Sequence, residues 1–186
     1  YSDLTFDGNT FTGTCLSGLR WLCAAAGAVS TLTRITITNN TFTALTVSEG
    51  AINMRAENDT STSSIITDMI IDDNVFEDVT YTCVRVGSDF TDFGLCKGIK
   101  IRDNVFKSSG NAGANGGAMA PHSWGHSSTA GFGANEISGN TIQGMRGVTG
   151  GINLFDSECI IQNNLIEDCT STTIDANGIL IDLGCA

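Results

Sequence analysis

Hydrophobic and polar residues alternate in short segments along most of the chain, as in Ile35-Thr36-Ile37-Thr38. Alternation with a period of two is typical of a β-strand that buries one face. No segment has the sustained apolar spacing of three and four residues that an amphipathic helix requires. The pattern therefore predicts an all-β protein built from short strands.

One motif recurs six times, with the form apolar-any-apolar-any-any-Asn-any-aromatic or aliphatic. Its Asn stands at positions 9, 40, 74, 104, 140 and 164, so the copies follow one another at intervals of 24 to 36 residues. Such repetition is typical of a solenoid whose coils carry loops of different length. The copies are Leu4–Phe11, Ile35–Phe42, Met69–Phe76, Ile99–Phe106, Asn135–Ile142 and Cys159–Ile166.

A third alternating run follows each motif, so every repeat supplies three short strands and three corners. Strands one coil apart can pair only in parallel, because every coil runs the same way round. We therefore expect one domain over residues 1–186, folded as a right-handed, single-stranded parallel β-helix of about six coils. The third runs are Leu19–Trp21, Ile52–Met54, Val84–Val86, Ala118–Ala120, Ile152–Leu154 and Ile179–Ile181.

The recurring Asn suits a corner between strands for two reasons. Asn tolerates the left-handed backbone region that a sharp corner requires. Its amide can also bond to the Asn of the neighbouring coil, which predicts an asparagine ladder along the axis. The aromatic position predicts a second column inside the coil, formed by Phe11, Phe42, Phe76, Phe106, Ile142 and Ile166.

The unit Ile37-Thr38-Asn39-Asn40-Thr41-Phe42 resembles the repeat of parallel β-helix proteins of the pectate-lyase-like superfamily, and the resemblance extends from Leu4 to Leu183. That superfamily includes polysaccharide lyases, glycoside hydrolases, epimerases and phage tailspikes. The resemblance implies a secreted or virion-surface protein that recognises or cleaves an extracellular polysaccharide. Its members are usually longer, so we expect a further segment, a partner chain or an oligomer such as a homotrimer to cover the exposed coil ends.

The resemblance also implies a substrate groove along the sheet formed by the third strands. By position, the outward residues there are Arg20, Asn53, Arg85, Met119, Asn153 and Leu180. Counting onward from them puts His122 level with Asp156, with Asp89 on the other side of His122. Neighbouring coils lie about 4.8 Å apart, so these side chains would converge.

Two reactions suit such a group. Paired carboxylates across a groove serve glycoside hydrolysis, and a His or Arg base beside a neutralising charge serves proton abstraction next to a uronate carboxylate. The open alternatives are a hydrated polar surface, sugar or ion binding without catalysis, and a structural or adhesive solenoid of a stalk or fibre. The catalytic candidates are His122, Asp156, Asp89 and Arg85, and the substrate-binding candidates are Asn53, Asn153 and Trp124.

The chain is acidic, with a net charge of −11 and a pI of about 4.3. This charge disfavours a nucleic acid or an anionic membrane as partner, because phosphate groups would be repelled. An acidic polysaccharide would need a local basic site or a bound cation. Asp89 and Asp92 could bind calcium, whereas no Cys or His cluster has the spacing of a zinc site.

Seven cysteines stand at positions 15, 23, 83, 96, 159, 169 and 185. The pairs Cys15/Cys23 and Cys83/Cys96 are close enough in sequence to close loops as disulfides, which favours an oxidising extracellular setting. Cys159 and Cys169 occupy apolar positions of the repeat and are equally compatible with buried thiols.

Overall fold

The structure is a computed structural model that describes residues 1–23, 31–56, 64–88, 94–110, 117–122, 135–147, 150–155, 159–170 and 178–182. All named elements of this part are strands. They are β1 (Ser2–Asp7), β2 (Thr10–Thr14), β3 (Ser17–Cys23), β4 (Thr31–Thr38), β5 (Thr41–Thr46), β6 (Gly50–Ala56), β7 (Ser64–Asp72), β8 (Val75–Glu77), β9 (Val84–Ser88), β10 (Gly94–Lys97), β11 (Lys100–Arg102), β12 (Val105–Lys107), β13 (Gly117–His122), β14 (Glu136–Ser138), β15 (Thr141–Gln143), β16 (Gly150–Phe155), β17 (Ile160–Gln162), β18 (Leu165–Glu167) and β19 (Ile179–Asp182).

These strands form three parallel sheets, and the chain visits the sheets in turn. The first sheet has the order β1-β4-β7-β11-β14-β17, with β10 also beside β7. The second is β2-β5-β8-β12-β15-β18, and the third is β3-β6-β9-β13-β16-β19. This connectivity confirms the predicted all-β parallel β-helix, while the right-handed sense stays a prediction.

The core is a set of columns that run across the coils. Phe42, Phe76 and Phe106 are fully buried, and Phe11 extends the stack at one end. Successive ring centroids lie 4.6 to 4.8 Å apart with nearly parallel planes. Ile142 and Ile166 continue the column in register, as predicted. Burial of each large apolar side chain contributes roughly 1.5–3 kcal/mol.

The predicted asparagine ladder is present at the corner between the first and second sheets. Each ladder Asn from Asn9 to Asn140 donates from its backbone N and its Nδ2 to the Oδ1 of the next ladder Asn, over 2.8 to 3.1 Å. Asn74 Nδ2 also reaches the carbonyls of Ile37 and Asp72 at 2.8 and 2.9 Å. The ladder thus satisfies buried polar groups that would otherwise be costly.

The left-handed residue of this corner is the one before the ladder Asn, so that part of the prediction was wrong. Asn39, Asp73, Asp103 and Asn163 have φ of 53° to 56°, and glycines 8 and 139 have φ of 68° and 67°. These residues project into solvent, and Asn, Asp and Gly are the types that adopt this region at least cost. The ladder Asn has another backbone conformation because its amide must point into the coil.

In the described residues, neither Cys15/Cys23 nor Cys83/Cys96 forms the disulfide that its spacing allowed. Cys15 is a free, exposed thiol, and Cys83 and Cys96 are free and buried. Cys83 directly precedes β9 of the third sheet, whereas Cys96 lies in β10 of the first sheet, so the two enter the core from different sides. Burial raises the pKa of both thiols to about 12. Cys159 and Cys169 are half-buried free thiols packed against the core, in line with the thiol alternative.

Both ends of the described β-helix expose residues that are buried elsewhere in their columns. Leu4 pairs with the buried Ile35 but is 38% exposed. Ile181 occupies the level of the nearly buried Leu154 and is 64% exposed. A coil covers only one side of each of these residues in the described structure.

Candidate functional site

The outward side of the third sheet carries the predicted groove residues, with one correction of register. Met119 pairs with Val84 and Ile152 and is fully buried in the core. In the backbone register Ala120 pairs with Arg85, so it has the place in the row that was predicted for Met119. Small Ala residues flank Met119 on both sides, so alternation alone did not reveal which way it points. The outward row is Arg20, Asn53, Arg85, Ala120, Asn153 and Leu180.

This correction also moves His122 relative to its predicted partner. In the backbone register His122 lies opposite Gly87 and Phe155, one position before Asp156. The predicted level pairing of His122 with Asp156 is therefore wrong. Asp156, Asp89 and Trp124 lie outside the described residues, as does Asp92. The predicted catalytic group stays a prediction, apart from that register.

Asn53 and Asn153 occupy the outward row but are not open to solvent. Their exposed fractions are 1% and 2%. The Oδ1 atoms of both side chains are buried without a hydrogen-bond partner. An unsatisfied buried acceptor costs about 1–3 kcal/mol, so each amide oxygen is a strong potential acceptor for a donor group.

A carboxylate that the sequence analysis missed organises one end of this surface. Glu49 lies directly before β6, and its Oε2 accepts from Asn53 Nδ2 at 2.9 Å. Arg20 Nε lies 3.1 Å from the same oxygen, and Arg20 Nη2 donates to Oε1 at 3.4 Å. Arg55 Nη2 forms a longer ion pair with Oε2 at 3.7 Å. Glu49 thus accepts hydrogen bonds from two successive coils and pairs with a second arginine.

The side chains of this cluster differ in how far they are exposed to solvent. The side chain of Arg55 is 8% exposed, whereas those of Glu49 and Arg20 are 26% and 33% exposed. Arg85, opposite Asn53 in the next coil, is half-buried. Arg20 and Arg85 are therefore the cations of the row that an external ligand could meet first.

The sequence held one signal for Glu49. It is the only acidic residue between Phe42 and Ala56, close to an arginine on the outward side of the following strand. It stands at a corner, outside the alternating run, so periodicity assigned it no direction. Its contact with Arg20 depends on how two coils stack, which the spacing alone did not give.

The site combines basic and amide groups in an acidic molecule. Three of the nine Lys and Arg residues, Arg20, Arg55 and Arg85, belong to β3, β6 and β9 of the third sheet. One third of the basic residues of the chain therefore lies in these three strands. In the described ranges, no group of three or more His, Cys, Asp or Glu side chains could hold a metal ion. Nor does the described part contain a helix long and apolar enough to cross a bilayer.

Comparison of the chain with protein-family models, curated proteins and solved structures gives no significant match.

Proposed function

We propose that this protein recognises an extracellular acidic polysaccharide along the outward side of the third sheet. The observation that carries the proposal is the row Arg20-Asn53-Arg85-Ala120-Asn153, which places arginine and amide groups on successive coils. The coil spacing of about 4.8 Å is comparable to the length of one sugar unit, so successive coils can meet successive units of an extended glycan.

The chemistry of the row matches the groups of an acidic sugar. Guanidinium groups such as Arg85 bind carboxylate or sulfate through charge-assisted hydrogen bonds. Sugar hydroxyls are donors, and they would reach the unpartnered Oδ1 atoms of Asn53 and Asn153 only if these buried amides become accessible on binding. The remainder of the acidic chain repels a polyanion, which would confine a bound glycan to this strip.

Cleavage of the bound glycan is the enzymatic form of this proposal. His122, Asp156 and Asp89 are its acid, base or nucleophile candidates, and Trp124 is a candidate for stacking on a sugar ring. Arg85 would neutralise the carboxylate of the uronate or remove the proton next to that carboxylate. A lyase would release unsaturated products that absorb in the ultraviolet, and a hydrolase would release reducing ends without that absorbance.

A structural or adhesive solenoid is the competing function. The asparagine ladder runs without interruption from Asn9 to Asn164, and a rigid stalk requires such regular stacking. This alternative needs no ligand on the third sheet.

A binding and cleavage assay on acidic and neutral polysaccharides separates these functions. We expect an acidic polysaccharide to bind, and Arg20→Ala or Arg85→Ala to weaken binding about ten-fold, as loss of one charge-assisted hydrogen bond implies. Arg146→Ala is the matched control, because it removes the same charge from an exposed position between β15 and β16. Equal affinity in all three variants would contradict the assignment of the site. Failure of every polysaccharide to bind would favour the structural solenoid.

A further inference from the structure

We propose that Arg20, Asn53 and Arg55 form a subsite for a carboxylate or sulfate group, and that Glu49 occupies it as an internal competitor in the free protein. Three nitrogen atoms converge on Glu49 Oε2: Asn53 Nδ2 donates to it at 2.9 Å, and Arg20 Nε and Arg55 Nη2 form ion pairs with it at 3.1 and 3.7 Å. Glu49 therefore shows how the subsite holds an anion.

The partly exposed Glu49 can be replaced by another anion while the buried donors of the cluster stay in place. Asn53 and Arg55 are almost fully buried and belong to the interior of β6. Glu49 precedes that strand, is about one-quarter exposed, and carries its carboxylate on a flexible side chain. Rotation of Glu49 toward solvent would leave the donors in position for another anion.

A second observation indicates that Glu49 does not complete the arrangement. Asn53 uses its Nδ2 on Glu49, but its Oδ1 is buried with no hydrogen-bond partner. A carboxylate cannot donate to that oxygen. An acidic sugar can, because a hydroxyl lies next to its acid group and could reach Asn53 Oδ1 while the acid group meets Arg20. The ligand class is therefore a sugar acid or sulfated sugar.

Charge decides the direction of the expected effect. Arg20 Nε and Glu49 Oε2 form an ion pair at 3.1 Å, and replacement of Glu49 by Gln removes the negative charge of that pair. Glu49→Gln should therefore raise the affinity for an anionic group about ten-fold, which corresponds to about 1.4 kcal/mol. The identity of the ligand as a polysaccharide rests on the proposed function, whereas the exchange of one anion for another does not.

The test compares three probes: inorganic sulfate, an acidic oligosaccharide and a neutral oligosaccharide of the same length. Calorimetric titration of the full chain should show tighter binding of both anionic probes to Glu49→Gln and no change for the neutral probe. Glu77→Gln is the matched control, since Glu77 is exposed on β8 of the second sheet. Adding Arg20→Ala to Glu49→Gln should abolish the gain.

A folded Glu49→Gln protein without the gain, or an equal gain in Glu77→Gln, would overturn the subsite. If Glu49→Gln does not fold, titration of the native chain with sulfate, followed by NMR, tests the exchange instead. The Arg20 Nε–H and Glu49 carboxyl signals should then shift together in NMR spectra, and unshifted signals would refute the exchange.

The outcomes separate this subsite from the proposed function. A gain for sulfate in Glu49→Gln, with no polysaccharide bound by any variant, keeps the subsite and refutes the function. Binding of an acidic polysaccharide through Arg85, with no effect of Glu49→Gln, would support the proposed function and refute the subsite.

Discussion

At the scale of single residues, the ladder asparagines have the most demanding positions. Asn104 accepts two hydrogen bonds from Asn74 and donates to Asn140, Ile71 and Arg102, all within 3.1 Å. It is fully buried, so no solvent replaces a lost partner. Asn9 makes the same forward bonds but is exposed at the end of the ladder.

Asn104→Ala should therefore lower the free energy of unfolding by about 3 kcal/mol or more, because several buried polar groups lose their partners together. Asn9→Ala should cost about 1 kcal/mol. Denaturant unfolding of both variants measures the difference. Equal losses would show that burial of the ladder contributes little.

The buried thiols give a second prediction at this scale. The folded pKa of Cys83 and Cys96 is about 12, against an ordinary value of 9.0. Since folding favours the neutral thiols, their contribution to stability is complete below about pH 9 and is lost as the pH rises toward 12. Unfolding measured across this range should show a smaller alkaline loss in Cys83→Ala/Cys96→Ala than in the parent chain.

Alkylation followed by peptide mass mapping checks the same assignment independently. Cys15 should react at once with iodoacetamide, because it is exposed, whereas Cys83 and Cys96 should react only when the chain unfolds. Rapid labelling of Cys83 in the native protein would contradict its burial.

At the scale of elements, the strand–corner–strand unit was predictable because its signal repeats six times. The Phe column and the ladder both follow from that repetition, and both are present. The third strand was less predictable, since one Met between two Ala residues left the direction of its side chain open. The contacts of Glu49 with Arg20 depend on how neighbouring coils stack, which no local pattern encodes.

The Phe column should contribute unequally along its length. Phe76 is stacked on both sides and fully buried, whereas Phe11 is half-buried and stacked on Phe42 alone. We expect Phe76→Ala to destabilise the protein by roughly 3–5 kcal/mol and Phe11→Ala by clearly less. Thermal and denaturant unfolding measure both, with Phe76→Leu as the conservative control.

At the scale of the whole molecule, each coil stacks on its sequence neighbours through three sheets. Stability in such a quasi-one-dimensional structure is a sum of coil terms and neighbour terms, so the ends are held by fewer contacts than the middle. The exposure of Leu4 and Ile181 in the structure reflects this difference in contacts.

Hydrogen exchange should therefore be slowest in the middle coils and faster toward both ends. The amides of Asn74 and Asn104 should be the most protected of the ladder, and those of Asn9 and Asn140 less so. Exchange followed by NMR tests this gradient. Uniform protection along the ladder would mean that the described β-helix unfolds only as one unit.

The ladder also has a direction, which affects how the chain can assemble during synthesis. Asn40 gives its N–H groups to the oxygen of Asn74, which stands a full coil later in the sequence. A ribosome that has released Asn40 has not yet made its acceptor. The donors at the corner of one coil therefore find their acceptor only after the next coil has been synthesised. We expect each coil to become ordered only when the coil that follows it has been made.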